Sequence, residues 1–187
     1  MYKTLDELRT KNLLCQQCKL RRGCNQVVPS IGPATSKLLI IGECPGQDED
    51  IVGEPFVGRS GQLLDKLLKN AGINRDDIYI TNVVKCHPPK NRTPSPTEIK
   101  ACKGWLWEEL RLVNPKVILT LGRTPSFLLL KVKPSAKMKD IVGKPYTVTY
   151  IDAIVYAWYH PSFLLRHSGK YDKTTIDFFK QIKDTYL

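Results

Sequence analysis

Four short runs of apolar, largely β-branched residues recur along the chain: Lys37-Leu-Leu-Ile-Ile-Gly42, Ile78-Tyr-Ile-Thr-Asn-Val-Val84, Lys116-Val-Ile-Leu-Thr-Leu121 and Ile154-Val-Tyr-Ala-Trp158. Each is bounded by glycine, proline or polar residues. Runs of this kind, apolar without strict alternation, describe strands buried on both faces, as in parallel sheets covered by helices. Helical spacing fills the intervals. Leu63, Leu64, Leu67, Leu68 and Ala71 repeat at helical period and stop at Gly72. Ser95-Pro96-Thr97-Glu98 opens a second helix with a capping-box pattern and proline in the first turn. A third runs from about Asp172, with Ile176, Phe179 and Ile182 on one face and lysines on the other. Strands alternating with helices imply an α/β fold: a single three-layer α/β/α domain over residues 1–187, around a central, mainly parallel four-stranded sheet with right-handed crossovers. The sequence has no internal repeat and no sign of a second domain.

Cys15-Gln-Gln-Cys18 folds two thiols onto one centre within a single turn, and a compact fold can bring Cys86 and Cys102 across to complete a four-thiolate metal site. Zinc and an iron–sulfur cluster both accept four cysteines, so spacing alone leaves the metal open. Cys24 and Cys44 read as small buried or pocket-lining residues. Acidic residues stand at Asp6 and Glu7, where a signal peptide needs an apolar run, and no stretch is long or apolar enough to span a bilayer. We therefore expect a soluble, cytoplasmic protein with no membrane partner, in a compartment that disfavours disulfides.

There are 29 Lys plus Arg against 18 Asp plus Glu, a net charge of +11, which favours a polyanionic partner such as DNA or RNA. In open α/β sheets the ligand lies beyond the carboxyl ends of the strands. Three of the four ends carry polar chemistry: Gly42-Glu43-Cys44-Pro45-Gly46-Gln47-Asp48-Glu49-Asp50 after the first, Asn82 near the end of the second, and His160-Pro161-Ser162 after the fourth.

These segments, with Gly53-Glu-Pro-Phe-Val-Gly-Arg-Ser-Gly-Gln-Leu-Leu64, Thr81-Asn-Val-Val-Lys-Cys86 and His160-Pro-Ser-Phe-Leu-Leu-Arg166, resemble the iron–sulfur (family 4) uracil-DNA glycosylases of bacteria and archaea. The likeness runs from Cys15 to Arg166, with the motifs in order. It implies a 4Fe-4S cluster on Cys15, Cys18, Cys86 and Cys102, zinc being the alternative occupant, and a structural rather than redox use for it. It also implies base excision repair in a prokaryotic, nucleoid-associated setting. Cys44 departs from the family pattern, which has alanine or glycine there.

Excising uracil breaks the bond between sugar C1' and base N1, and it separates a cationic sugar from an anionic base. The base must first leave the stack and enter a pocket. Phe56 is the expected stacking platform, and Asn82 the expected reader, because an amide accepts from uracil N3–H and donates to O4 where cytosine inverts both positions. His160 is the expected donor to O2. Glu43 is expected to orient the attacking water or stabilise the sugar cation. Gly42, Cys44 and Glu49 complete the expected pocket, with Glu49 beside C5, unless it is a solvated loop acid. No lysine stands out as a Schiff-base nucleophile, which favours a monofunctional enzyme that leaves an abasic site.

An apolar side chain of Phe163-Leu164-Leu165, after the HPS motif, is expected to fill the space a flipped base vacates, the sequence leaving open which one inserts; Ser162, Leu164 and Arg166 are the expected DNA-binding residues, with Arg166 at a phosphate. Lys85, Lys90, Arg92, Lys131, Lys133, Lys137 and Lys139 are further candidates for phosphate contacts. The substrate is uracil-containing DNA, single- or double-stranded, and the chain is expected to act as a monomer. No motif identifies a replication partner such as a sliding clamp. Two rivals remain at this level: a non-enzymatic iron–sulfur or zinc nucleic-acid-binding protein, and a glycosylase of the same fold for another base such as hypoxanthine.

Overall fold

The computed structural model describes residues 2–133, 135–167 and 169–187. Its elements in order are α1 (Leu5–Leu13), β1 (Leu38–Gly42), α2 (Gln47–Val52), α3 (Arg59–Asn70), β2 (Tyr79–Asn82), α4 (Pro96–Val113) and β3 (Val117–Leu121). There follow α5 (Arg123–Leu130), α6 (Met138–Ile141), β4 (Pro145–Val148), β5 (Ile151–Trp158), α7 (Pro161–Arg166) and α8 (Asp172–Tyr186). The strands form one sheet in the order β2-β1-β3-β5-β4, parallel throughout except for the β4–β5 pair.

All four apolar runs are strands, and β1, β2 and β3 are buried at every position. The sheet has a fifth strand that the four-run reading missed. Pro145-Tyr-Thr-Val148 is half exposed and polar in part, and it pairs antiparallel with β5 at the sheet edge. Edge strands bury one face at most and tolerate a leading proline, so they leave no continuous apolar run.

Alternate strand residues feed two cores. Leu38, Ile40, Ile80, Leu119 and Trp158 face α3 and α8, whose Leu64, Leu67, Phe179 and Ile182 complete that layer. Leu39, Ile41, Ile118 and Val155 face α1 and α4, with Leu8, Leu106 and Leu110. The domain is thus three-layered. Helix α4 starts as expected: Ser95 Oγ accepts from the Glu98 N–H (3.3 Å), and the Glu98 carboxylate accepts from the Ser95 N–H (2.8 Å).

One local feature positions the pocket floor. Phe56 has φ 57°, a left-handed conformation that a bulky residue adopts only where its surroundings enforce it. The enforcing neighbour is the first turn of α3, which packs so tightly on Phe56 that a Cβ added at Gly61 would lie 1.8 Å from the Phe56 carbonyl oxygen. Gly61→Ala is therefore expected to overpack this contact and cost about 1–3 kcal/mol, read as a lowered midpoint in thermal unfolding; an unchanged midpoint would count against the close packing.

Candidate active site

Strand β1 lies between β2 and β3, so the chain leaves it on one side and then returns on the other. Crevices at such a switch point, beyond the carboxyl ends of the strands, are where open α/β sheets bind ligands. A cavity of about 430 Å³ opens there, lined by Glu43, Cys44, Glu49, Phe56, Asn82 and His160 among others. All three polar strand ends singled out in the sequence reach it. So does the fourth. Gly122, Arg123 and Thr124, directly after β3, were passed over because glycine, arginine and threonine form no recognisable motif; Gly122 and Arg123 line the cavity.

Thr124 bears on Glu43. Its hydroxyl, in the first turn of α5, donates to Glu43 Oε2 and so holds the carboxylate from across the switch point. Asn82 is buried at the end of β2, opposite Gly42 in the register. Gly42 does not line the cavity; it makes room for it. A Cβ there would stand 2.2 Å from Asn82 Oδ1 and 2.7 Å from the Phe56 ring, so only glycine lets amide and ring share the pocket. Phe56 belongs to the core and lines the cavity at once, its ring centroid 6.0 Å from that of His160 at 34°.

His160 caps α7: the Ser162 N–H donates to Nδ1 (3.2 Å), and the Ser162 hydroxyl sits 2.8 Å from the same nitrogen. An Nδ1 that accepts an N–H carries no proton, so the neutral ring carries it on Nε2. Burial, reinforced by the Arg166 guanidinium, pushes the imidazole down from 6.5 to about 4. The ring is therefore a neutral donor at physiological pH. Ser162 acts here through His160, and the exposed Arg166 lines the cavity rim.

Glu49 is buried and not a solvated loop acid. Oε1 accepts from the N–H groups of Val57 (2.9 Å) and Gly58 (2.8 Å), and Oε2 from that of Gly46 (2.9 Å). It lines the cavity while tying the two loops of the pocket wall together. Burial, with Glu43 and Glu49 adding, pushes the Cys44 thiol up to about 12, so Cys44 presents a neutral S–H to the cavity.

Two expectations are corrected. Leu164 is 2% exposed and packs in the core with α3 and α8, which removes it as a DNA-binding residue; the exposed apolar residue of this helix is Leu165. A helical turn after His160 sends successive side chains to different sides, and Leu165 flanks a groove with Arg166, Arg59 and Asn91. Lys85 is 1% exposed and ion-paired with Glu109 at 2.7 Å, so it meets no phosphate. Arg92 forms a two-pronged pair with Glu98 (2.7 and 2.8 Å), while Lys90, Lys131, Lys133, Lys137 and Lys139 are exposed.

The four metal-candidate cysteines come from three segments and meet in one apolar cluster against α1 and α4. Burial pushes Cys86 up, and Cys24, Cys102 and Cys18 are near enough to push it further. Cys102 is raised to about 11 by burial, with Cys15 and Cys18 contributing. Two N–H groups aim at these sulfurs: the Lys85 backbone at Cys102 Sγ and Trp105 Nε1 at Cys15 Sγ, both at 3.3 Å. Soft thiols with N–H···S donors fit an iron–sulfur cluster. Among the described residues no three His, Cys, Asp or Glu side chains stand close enough to enclose a single metal ion. Also among them, no helix is long and apolar enough to cross a membrane.

Comparison with known proteins agrees with this geometry. A family model described as the uracil DNA glycosylase superfamily matches residues 29–184. The chain is 35% identical to a type-4 uracil-DNA glycosylase of Archaeoglobus fulgidus, over 95% of this chain and 91% of that one. It is 38% identical to the type-4 enzyme of Saccharolobus solfataricus (96% and 83% covered) and 41% identical to that of Thermotoga maritima (82% and 79%). The chain belongs to the uracil-DNA glycosylase superfamily and, within it, to the type-4 family.

The tautomer and the depressed imidazole make a direct prediction. Ring-nitrogen NMR of the folded protein should show His160 neutral with its proton on Nε2 at pH 5.5, titrating near 4. The unfolded chain binds a proton at this residue from about 6.5 downward and the folded chain does not, so His160 contributes a loss of stability on acidification through that window. A titration midpoint near 6.5 would refute the burial argument.

Proposed function

We propose that this chain hydrolyses the glycosidic bond of deoxyuridine in DNA, releasing uracil and leaving an abasic site, by the division of labour that follows. The observation that carries this is the convergence of Glu43, Asn82, Phe56 and His160 on one cavity over the switch point, in a member of the type-4 family.

A flipped uracil enters with its face toward Phe56 and its Watson–Crick edge toward Asn82. The amide oxygen takes N3–H and the NH2 gives to O4. Cytosine would leave buried partners unpaired, at about 1–3 kcal/mol per group. As C1'–N1 breaks, the electron pair passes into the base and charge grows on O2, where the Nε2–H of His160 donates. The ring is neutral before and after, so it stabilises the departing anion by a hydrogen bond. Glu43, held by Thr124, faces the sugar: its carboxylate balances the cationic C1', orients the water that bonds to it and can take the proton that water sheds. Uracil leaves as the anion and gains its proton from solvent.

Lys85, the lysine of the Thr81–Cys86 motif, is sequestered in its ion pair, in keeping with hydrolysis rather than a Schiff-base lyase. Arg166, with Leu165 beside it, is placed to meet the DNA backbone and the gap in the stack, while the exposed lysines add salt-sensitive affinity. Cys15, Cys18, Cys86 and Cys102 would hold a 4Fe-4S cluster, which would cross-link three chain segments. The setting is the DNA of a prokaryotic cell. A non-enzymatic binding module would have no use for a cavity with an amide, a ring, a carboxylate and a neutral imidazole together.

The deciding experiment is excision from an end-labelled oligonucleotide carrying one uracil, with and without alkali. Strand cleavage that depends on alkali is expected for the wild type, lost by about 10²-fold or more in Glu43→Ala and His160→Ala. Thr124→Val should fold normally and lose about 10-fold in kcat through a freed Glu43. No release from single or double strands would return the chain to the rival readings. The purified protein should be brown with absorbance near roughly 400 nm, and Cys86→Ala should bleach it and lower its unfolding temperature; a colourless, zinc-loaded, active protein would refute the cluster and spare the glycosylase.

A further inference from the structure

Lys85 is one of the largest fully buried side chains of the molecule, and its ammonium is held on every side. Nζ donates to both carboxylate oxygens of Glu109 (2.8 and 2.7 Å), to the Thr81 hydroxyl and to the backbone carbonyl of Asn82 (3.0 Å). Thr81 in turn donates to Glu109 Oε2 (2.8 Å), and Glu109, on α4, is 2% exposed. Burying such a pair costs several kcal/mol of desolvation per ion, and apolar side chains of equal volume are often as stable or more so. Folding alone therefore gives no reason for the pair.

Its place in the chain supplies one. Asn82, three residues earlier, lines the cavity, and Cys86, the next residue, is in the thiol cluster. Between them the Val84 N–H donates to the Glu43 carbonyl (3.1 Å), and the Lys85 N–H donates to Cys102 Sγ (3.3 Å). The Lys85 carbonyl accepts from Val28 (2.7 Å) in the segment that follows the N-terminal cysteines. Residues 82–86 thus form a short bar with base recognition at one end and metal-candidate thiols at the other. The Lys85 side chain ties the bar down to Glu109 of α4, beside the backbone bond to Cys102 on the same helix, and it grips the bar at the carbonyl of Asn82 itself.

We propose that Lys85, with Glu109 and Thr81, is a positioning group for the base pocket: it fixes the peptide of Asn82 and so seats the carboxamide that reads the uracil edge. This rests on the function proposed above.

The test compares Lys85→Met/Glu109→Leu, which replaces the pair with apolar groups, and Thr81→Val, which removes one hydroxyl, with the wild type. Three quantities are measured: the unfolding temperature, the Kd for free uracil by calorimetry, and the Kd for a uracil-free duplex. The expected result in both variants is an unfolding temperature within a few degrees of wild type, unchanged duplex affinity, and uracil affinity weakened by about 10-fold in the double variant, as the loss of one well-aligned hydrogen bond to the base produces, with a smaller loss in Thr81→Val. Wild-type uracil affinity in a folded variant, or equal losses for uracil and duplex, would overturn the proposal. If the double variant does not fold, Thr81→Val decides alone by the same criteria. A wild-type protein that neither binds nor excises uracil would instead strike the function reading, and this inference with it.

Discussion

Asn82 stands opposite Gly42 in the sheet, and the ladder runs on past that pair: Val83 N–H donates to the Gly42 carbonyl and Val84 N–H to that of Glu43. Everything chemical in the molecule depends on this register. A slip of one residue would turn the Asn82 side chain to the opposite face of the sheet. The neighbouring β1–β3 register likewise places Glu43 and Thr124, which follow those two strands. A parallel sheet is suited to such a task because its strands are buried on both faces and cannot slide without exposing apolar surface.

Around that register the site is built from short tethers rather than long loops. Glu49 closes the wall by binding Gly46, Val57 and Gly58. Asp50, its neighbour and also buried, accepts from the N–H groups of Asn25 and Gln26 and from the Asn25 amide, and so fastens the segment after the N-terminal cysteines to α2. His87 joins the same scheme through Nδ1–H to the Pro45 carbonyl at 2.9 Å. Buried carboxylates accepting several backbone N–H groups are strong, directional fasteners. They let a cavity of polar groups stay open without collapsing.

Much of this was legible in the residues and some was not, for reasons that lie in how each signal is written. Strands buried on both faces announce themselves as apolar runs, hence β1, β2, β3 and β5; β4, at an edge with Pro145 and Thr147, follows no such rule. Site residues that sit in glycine- and proline-rich turns after strands stood out by contrast with the runs before them. Thr124 and Glu109 did not, because each looks like an ordinary helix residue until a partner distant in sequence is known: Glu43 for one, Lys85 for the other. The assignments of Leu164 to the duplex and Lys85 to phosphate failed for the same reason. Residue type suggests exposure, but helical phase for Leu164 and a buried carboxylate for Lys85 decide it.

The bond between Ser162 and His160 does two things at once. As an N-cap it satisfies an otherwise unpartnered N–H at the start of α7, a contribution of about 1 kcal/mol to stability; as a tautomer lock it leaves the ring's proton on Nε2. Active-site groups ordinarily sit in tension with the fold, and stabilising substitutions tend to erode activity. Here the capping and the chemical requirement select the same ring in the same protonation state. At this position stability and the proposed hydrogen-bond role point the same way, so the histidine is held in place by both.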